Sequence, residues 1–199
     1  NAGLSHNTWG FSVQQVYVLI MGTNEDWRLP NIRELESLLD YSMNIPALPA
    51  GHPFNNLQPN YWSSTPDVSD TNRAWVLGLA DGTIARWART NTVPYAWPVR
   101  GTTCGKMPVP RTGQTNSVTL GDDGFFMAGV PWPRPRFTIL PETNMVFDNL
   151  TGRSWTRQVG LGPATNWYAA VDFCTGLVYA GKADWRLPNR REVWSLIDF

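Results

Sequence analysis

Apolar residues recur at helical spacing in two stretches of this chain, which predicts two amphipathic helices. In the first stretch the apolar positions are Trp9, Val13, Val16, Tyr17 and Ile20. In the second they are Trp167, Val171, Cys174 and Val178. After each stretch comes the hexapeptide Asp-Trp-Arg-Leu-Pro-Asn, and a further apolar stripe follows it, formed after the first copy by Leu35, Leu38 and Leu39.

The two stretches belong to one internal repeat. An offset of 158 residues aligns residues 9–41 with residues 167–199 without a gap, and 14 of the 33 aligned pairs are identical. We call these the first and the second helical segment. After each hexapeptide an asparagine precedes a glutamate by three positions, which predicts a capping box at a second helix. Each segment is therefore predicted to form a helix, a short loop and a helix.

The loop residues of the hexapeptide are expected to be structural. The tryptophan and leucine can fill the core, and the arginine can bind carbonyl groups or a nearby carboxylate. Proline just before the cap costs no helical hydrogen bond. The residues concerned are Trp27, Arg28, Leu29, Pro30, Trp185, Arg186, Leu187 and Pro188.

Between the helical segments the pattern changes to that of short strands. Residues 61–65 (Tyr-Trp-Ser-Ser-Thr) are aromatic and β-branched, and residues 75–84 alternate up to an Asp-Gly turn, which predicts a hairpin. Residues 93–101 are expected to be an edge strand because of two prolines, and residues 149–152 are expected to turn a later hairpin. The prediction is an α+β fold, with two helices packed on a small, mostly antiparallel sheet and a partial second repeat.

The repeat also suggests how the chain is divided. Residues 1–101 are expected to be the C-terminal portion of one repeating unit, and residues 119–199 the N-terminal portion of a second one. Residues 102–118 contain few large apolar side chains and are rich in Pro and Gly, so they are expected to be a linker.

Charge and composition narrow the function classes. Lys plus Arg and Asp plus Glu are both 16, so the net charge is zero, which argues against a nucleic-acid partner. No run approaches 18 apolar residues, so no membrane span is expected. The sequence contains no nucleophile elbow, no phosphate loop and no metalloprotease motif. We therefore expect no catalytic residues, no enzyme activity and no cofactor.

Two stretches could bind a ligand. Asp122 and Asp123, in Gly-Asp-Asp-Gly, could hold a structural Ca²⁺, although an ordinary turn explains the same residues. In the last strands, arginine and aromatic residues are interleaved, a combination that suits sugars because rings stack on them and guanidinium groups bind sulfate or carboxylate. These residues are Arg86, Trp87, Arg89, Tyr95 and Trp97. Alternation in a half-buried strand is the competing explanation.

At its longest motifs the chain resembles the Lcl C-terminal domain family of bacterial surface and secreted proteins. The resemblance is carried by both hexapeptides, by Tyr-Trp-Ser-Ser-Thr, by Asp-Asn-Leu-Thr-Gly at residues 148–152 and by Trp-Pro-Val-Arg-Gly at residues 97–101. It implies a non-catalytic domain outside the cell or at its surface, often in tandem arrays, with a distant C-type-lectin-like kinship. An adhesin of this family recognises sulfated glycans.

The resemblance leaves the cysteines open. In many members a cysteine of the first helix pairs with one near the closing arginine, and here Val16 and Pro98 stand at those places. Cys174 lies in the matching helix of the second segment, so it could pair with Cys104 or both could be free thiols.

The surplus helical segment separates the function hypotheses. A single sheet cannot cover two such segments, so one apolar face would need a partner. Head-to-tail self-association into a surface filament or tandem array meets this need, and we expect it first. The alternative is a surface adhesin that binds glycans through a C-type-lectin-like face.

Overall fold

The computed structural model describes residues 7–21, 23–101, 109–141, 144–162 and 165–199. The chain divides into two compact units. The first contains the residues up to Pro131 together with Asp198–Phe199, and the second is Trp132–Ile197. The boundary between the two units thus follows residue 131, and the division into repeats at residues 102–118 stays a prediction.

The first unit contains three helices and five strands among the described residues. The helices are α1 (Trp9–Tyr17), α2 (Ile32–Ser37) and α3 (Asp123–Phe126). The strands are β1 (Trp27–Arg28), β2 (Asn60–Pro66), β3 (Arg73–Gly78), β4 (Thr83–Ala88) and β5 (Val99–Arg100). Strands β2, β3 and β4 form an antiparallel sheet in that order, and β1 pairs with β5, also antiparallel.

The two faces of the β2–β3–β4 sheet carry separate apolar clusters. Successive strand residues point to opposite faces, and the pair Trp62 and Val76 lies in one cluster while its neighbour, Tyr61 and Leu77, lies in the other. The first cluster also contains the buried apolar residues of α1, and the second contains Leu35 of α2. One helix therefore packs on each face, which confirms the α+β prediction.

The second unit is smaller. It contains the antiparallel sheet β6 (Phe137–Leu140), β7 (Met145–Asp148) and β8 (Arg153–Thr156), followed by α4 (Trp167–Thr175) and α5 (Arg190–Ser195). The hairpin predicted at residues 149–152 is confirmed as the β7–β8 turn. Gly152 closes it with a φ of 69°, which an L side chain adopts only under strain.

Two extents predicted from the pattern were wrong. The apolar pattern predicts a helix as far as Ile20, but α1 ends at Tyr17 and Ile20 is exposed. The strand expected over residues 93–101 is reduced to β5, preceded by an isolated bridge from Tyr95 to Tyr61. Prolines at 94 and 98 remove the donors that a longer ladder would need.

Part of the expected linker is packed in the first unit. Thr112 and Gln114 are buried, and Pro110 forms a parallel bridge with Val130. Residues 102–108, with Cys104, lie outside the described residues, and within the described residues Cys174 is unpaired. In the described part of the chain, no helix has the length and apolar character needed to cross a membrane.

Candidate functional site

The Trp-Arg-Leu-Pro loop of the first helical segment is locked into the core. Arg28 is 2% exposed and donates hydrogen bonds to both carboxylate oxygens of Glu34, with its Nη1 2.6 Å from Oε2. Its Nη2 also donates to the Gly101 carbonyl at 2.7 Å. Glu34 in turn accepts from the backbone of Asn31, which completes the predicted capping box. The loop therefore joins the helix start to the closing strand.

The second helical segment repeats this local geometry at the surface. Arg186 donates to Glu192, with its Nη1 2.7 Å from Oε2, and Asn189 and Glu192 form an equivalent capping box. However, the Arg186 side chain is 57% exposed. The Arg186 hydrogen bonds lower the pKa of Glu192 to about 2, and Arg153 donates to the same carboxylate at 2.8 Å. The contribution of Arg153 was missed from the sequence, because nothing in the local pattern links it to this glutamate.

The apolar faces of the two helical segments differ sharply in burial. Trp9, Val13, Val16 and Leu29 are all 0% exposed in the first segment. At the equivalent positions of the second segment Trp167 is 65% exposed, and three residues are only partly buried, namely Val171, Cys174 and Leu187. The same contrast holds for the second helix of each segment, where Leu35 is 1% exposed and its counterpart Val193 is 44% exposed. An apolar surface that the first unit buries is thus uncovered in the second.

A cavity of about 790 Å³ opens on this uncovered surface. Its wall is mostly apolar, with Trp155 of β8 on one side and Phe173 of α4 on another. The hexapeptide loop forms a further side, including Asp184 and Leu187. The counterpart of Leu187 in the first unit, Leu29, lies inside the core cluster that contains Trp62. The cavity and the exposed face of α4 together form what we call the open face of the second unit.

The interleaved arginine and aromatic residues do not form one surface. On β4, Arg86 pairs across the sheet with Trp75, and its guanidinium lies over that ring at 5.5 Å. Trp87, the next residue, points to the opposite face and packs on the first apolar cluster. Arg86 also forms an ion pair of 3.4 Å with the buried carboxylate of Asp67.

The other three predicted binding residues also contact the core. Arg89 lies over the Trp9 ring at 4.2 Å and donates to a backbone carbonyl. Tyr95 and Trp97 pack on the second cluster, with the Trp97 ring 4.8 Å from that of Tyr61. The five residues are therefore divided between both faces of the sheet, and glycan binding by them stays a prediction.

Asp122 and Asp123 are both buried and hydrogen-bonded. Asp122 caps α3 by accepting from the Phe125 amide at 3.0 Å. Asp123 Oδ2 accepts from the hydroxyls of Thr65 at 2.7 Å and Thr112 at 2.8 Å. Among the described residues no group of three or more His, Cys, Asp or Glu side chains is arranged to hold a metal ion. The contacts give both carboxylates a structural role, and calcium binding stays a prediction.

The burial of Asp123 predicts an unusual pH dependence for the first unit. Burial raises the pKa of Asp123 to about 6, although the two threonine hydroxyls and Arg28 favour the charged form. Because the folded pKa exceeds the unfolded one, the stabilisation is complete below about pH 4 and is lost as the pH rises through 6. We expect a loss of roughly 2–3 kcal/mol over this range.

Urea unfolding at pH 4.5, 5.5 and 7 would measure this loss. Asp123→Asn, which stays neutral, should show a flatter profile than the wild-type protein. Glu34, whose charge raises the Asp123 pKa, also faces this site. A wild-type profile that is flat, or that rises with pH, would contradict the assignment.

Comparison with known proteins supports the motif reading. The family model described as the Lcl C-terminal domain matches residues 5–100 and 144–199. The matched ranges contain both helical segments, the β2–β3–β4 sheet and the β7–β8 hairpin. No curated protein and no solved structure matches the chain.

Proposed function

Because the chain belongs to the Lcl C-terminal domain family, a family of surface-associated domains, we propose that it is a non-catalytic structural protein outside the cell or at its surface. It assembles head to tail into a filament or tandem array. The open face of the second unit is the surface that the next repeating unit covers. We also propose that the fold is distantly related to C-type lectins, but the assembly does not depend on that relationship.

The contrast in burial between the two helical segments carries the proposal. Their sequences match, and their hexapeptide loops and capping boxes have the same geometry. In the first unit the apolar stripe is covered by the sheet that contains Trp62 and Val76. In the second unit the same stripe is open, with Trp167 65% exposed. Contiguous apolar patches of this kind mark interaction surfaces.

The geometry favours assembly over glycan binding. A contact between the open face of one molecule and a different surface of the next is heterologous, so it gives an open filament unless its rotation closes a ring. The residues predicted to bind sugars, in contrast, pack on two separate core clusters. A glycan site would need them on one solvent-exposed surface.

The test is the assembly state of the full chain. Negative-stain electron microscopy and sedimentation velocity should show long, concentration-dependent assemblies of the wild-type protein. Trp167→Arg should remain monomeric, because it places a charge on the open face without disturbing the core. Val68→Arg, at an exposed apolar position between β2 and β3 of the first unit, is the matched control and should assemble normally. Discrete particles of the wild-type protein, or unchanged assembly of the Trp167 variant, would overturn the proposal.

A further inference from the structure

The first unit is closed by a strand pair at the hexapeptide. Strand β5 pairs with β1, so that Arg100 lies opposite Trp27 and Val99 opposite Arg28. The Arg100 guanidinium forms an ion pair of 3.0 Å with Asp26 and lies 5.9 Å from the centre of the Trp27 ring. These contacts add to the hydrogen bond from Arg28 to the Gly101 carbonyl. An extended Val-Arg-Gly sequence is thus held by three consecutive residues of the hexapeptide.

The second unit presents the same three residues without such a strand. Asp184, Trp185 and Arg186 occupy the positions of Asp26, Trp27 and Arg28 in the repeat. No strand pairs with residues 184–186 in the described part of the chain. Asp184 is exposed and forms no ion pair among the described residues, and Arg186 bonds only Glu192 and its neighbour Leu187 there.

The charge of the cavity wall around residues 184–186 favours binding of an arginine side chain. All three residues line the cavity of the open face, together with two further acidic residues and one further arginine. The wall therefore carries three carboxylates against two guanidinium groups. Arg153 and Arg186 both bind Glu192, which leaves the carboxylates of Asp172 and Asp184 without a cation on the cavity wall. An incoming basic side chain meets a net negative charge.

We propose that residues 184–186 are a binding site for an extended segment of the Val-Arg-Gly type from the next Lcl-type repeating unit, because the segment at residues 99–101 is already paired with β1. Its arginine pairs with Asp184 and lies over the Trp185 ring, and its backbone adds as a strand to residues 185–186. Arg186 donates to the carbonyl of its glycine. The inference rests on the proposed assembly, because it identifies the part of the neighbour that this edge of the open face recognises.

A labelled peptide with the sequence of residues 93–101 tests the site on the full chain. Fluorescence polarisation should show saturable binding to the wild-type protein. Asp184→Asn should weaken it about two- to fivefold, the effect of one exposed ion pair. A peptide with glutamate in place of its arginine should bind with an affinity at least about tenfold lower, because it also loses the cation–π contact. Asp26→Asn is the matched control and should leave binding unchanged, since Arg100 already occupies that carboxylate.

The outcomes separate this inference from the proposed function. Absence of saturable binding at millimolar peptide would overturn the site, and so would equal affinity for the wild-type protein and Asp184→Asn. If the chain assembles but does not bind the peptide, the assembly proposal stands and the strand site is wrong. If it binds the peptide through Asp184 but never assembles, the site stands and the assembly proposal is wrong.

Discussion

Replacing Trp9 with alanine should lower the free energy of unfolding of the first unit by about 3–5 kcal/mol. Trp9 is 0% exposed, and its indole Nε1 donates to the Ser63 carbonyl at 2.7 Å. Its loss therefore leaves a cavity in the first apolar cluster and removes the hydrogen-bond partner of a buried carbonyl. The Arg89 guanidinium, 4.2 Å from the ring centre, also loses its cation–π contact.

Trp167→Ala is the matched control for this substitution. The two tryptophans align in the repeat and begin the same kind of helix, but Trp167 is 65% exposed. We expect a change below about 0.5 kcal/mol, as for other surface positions. Urea unfolding followed by far-UV circular dichroism, at a dilution where the wild-type protein is monomeric, would measure both values. Equal costs at positions 9 and 167 would show that α4 is buried as deeply as α1, and the open face would not exist.

The local features of the fold could be predicted because they depend on neighbouring residues. The capping boxes at Asn31 and Asn189 follow from one side chain and a glutamate three positions later. The β3–β4 and β7–β8 hairpins follow from turn residues between alternating strands. Such signals are contained in a few consecutive positions, so the sequence alone is sufficient.

Features that depend on distant partners were predicted less well. Arg86 and Trp87 are adjacent in the sequence and were assigned to one ligand surface, but the strand sends them to opposite faces. The role of Asp123 depends on Thr65, which lies 58 positions away, and no local pattern indicates that contact. For the same reason Thr112 was placed in a linker although it is buried beside this carboxylate.

The repeat itself supplied the most informative prediction about the candidate site. Aligning the helical segments shows that one apolar stripe is surplus, but not which one the sheet covers. The structure places the sheet on the first segment, through Trp62 and Ala74. It also places Asp184 and Arg186 on the wall of a cavity. Because the two hexapeptides are identical, the sequence cannot distinguish these residues from Asp26 and Arg28. Burial, not sequence, makes one copy structural and the other a candidate binding site.

Replacing Arg28 with alanine should destabilise the first unit by about 3–5 kcal/mol. The Arg28 guanidinium is buried and holds the Glu34 carboxylate and the Gly101 carbonyl together. Its removal leaves Glu34, only 18% exposed, without its counter-ion in a region that water does not readily reach. Arg28→Lys should recover only part of the loss, because one ammonium group cannot form two parallel bonds to the carboxylate and also reach the carbonyl.

Arg186→Ala should change the stability of the second unit far less than Arg28→Ala changes that of the first, although it removes the same kind of guanidinium–carboxylate pair. Arg186 is 57% exposed, so water can solvate the carboxylate that it leaves, and Glu192 keeps its bond to Arg153. Double-mutant cycles of Arg28 with Glu34, and of Arg186 with Glu192, would measure the two coupling energies. A larger coupling in the second pair would contradict this reading, because an ion pair gains strength where solvent is excluded. Such a result would mean that residues 184–192 are already covered in the free chain, leaving no edge for a neighbour to join.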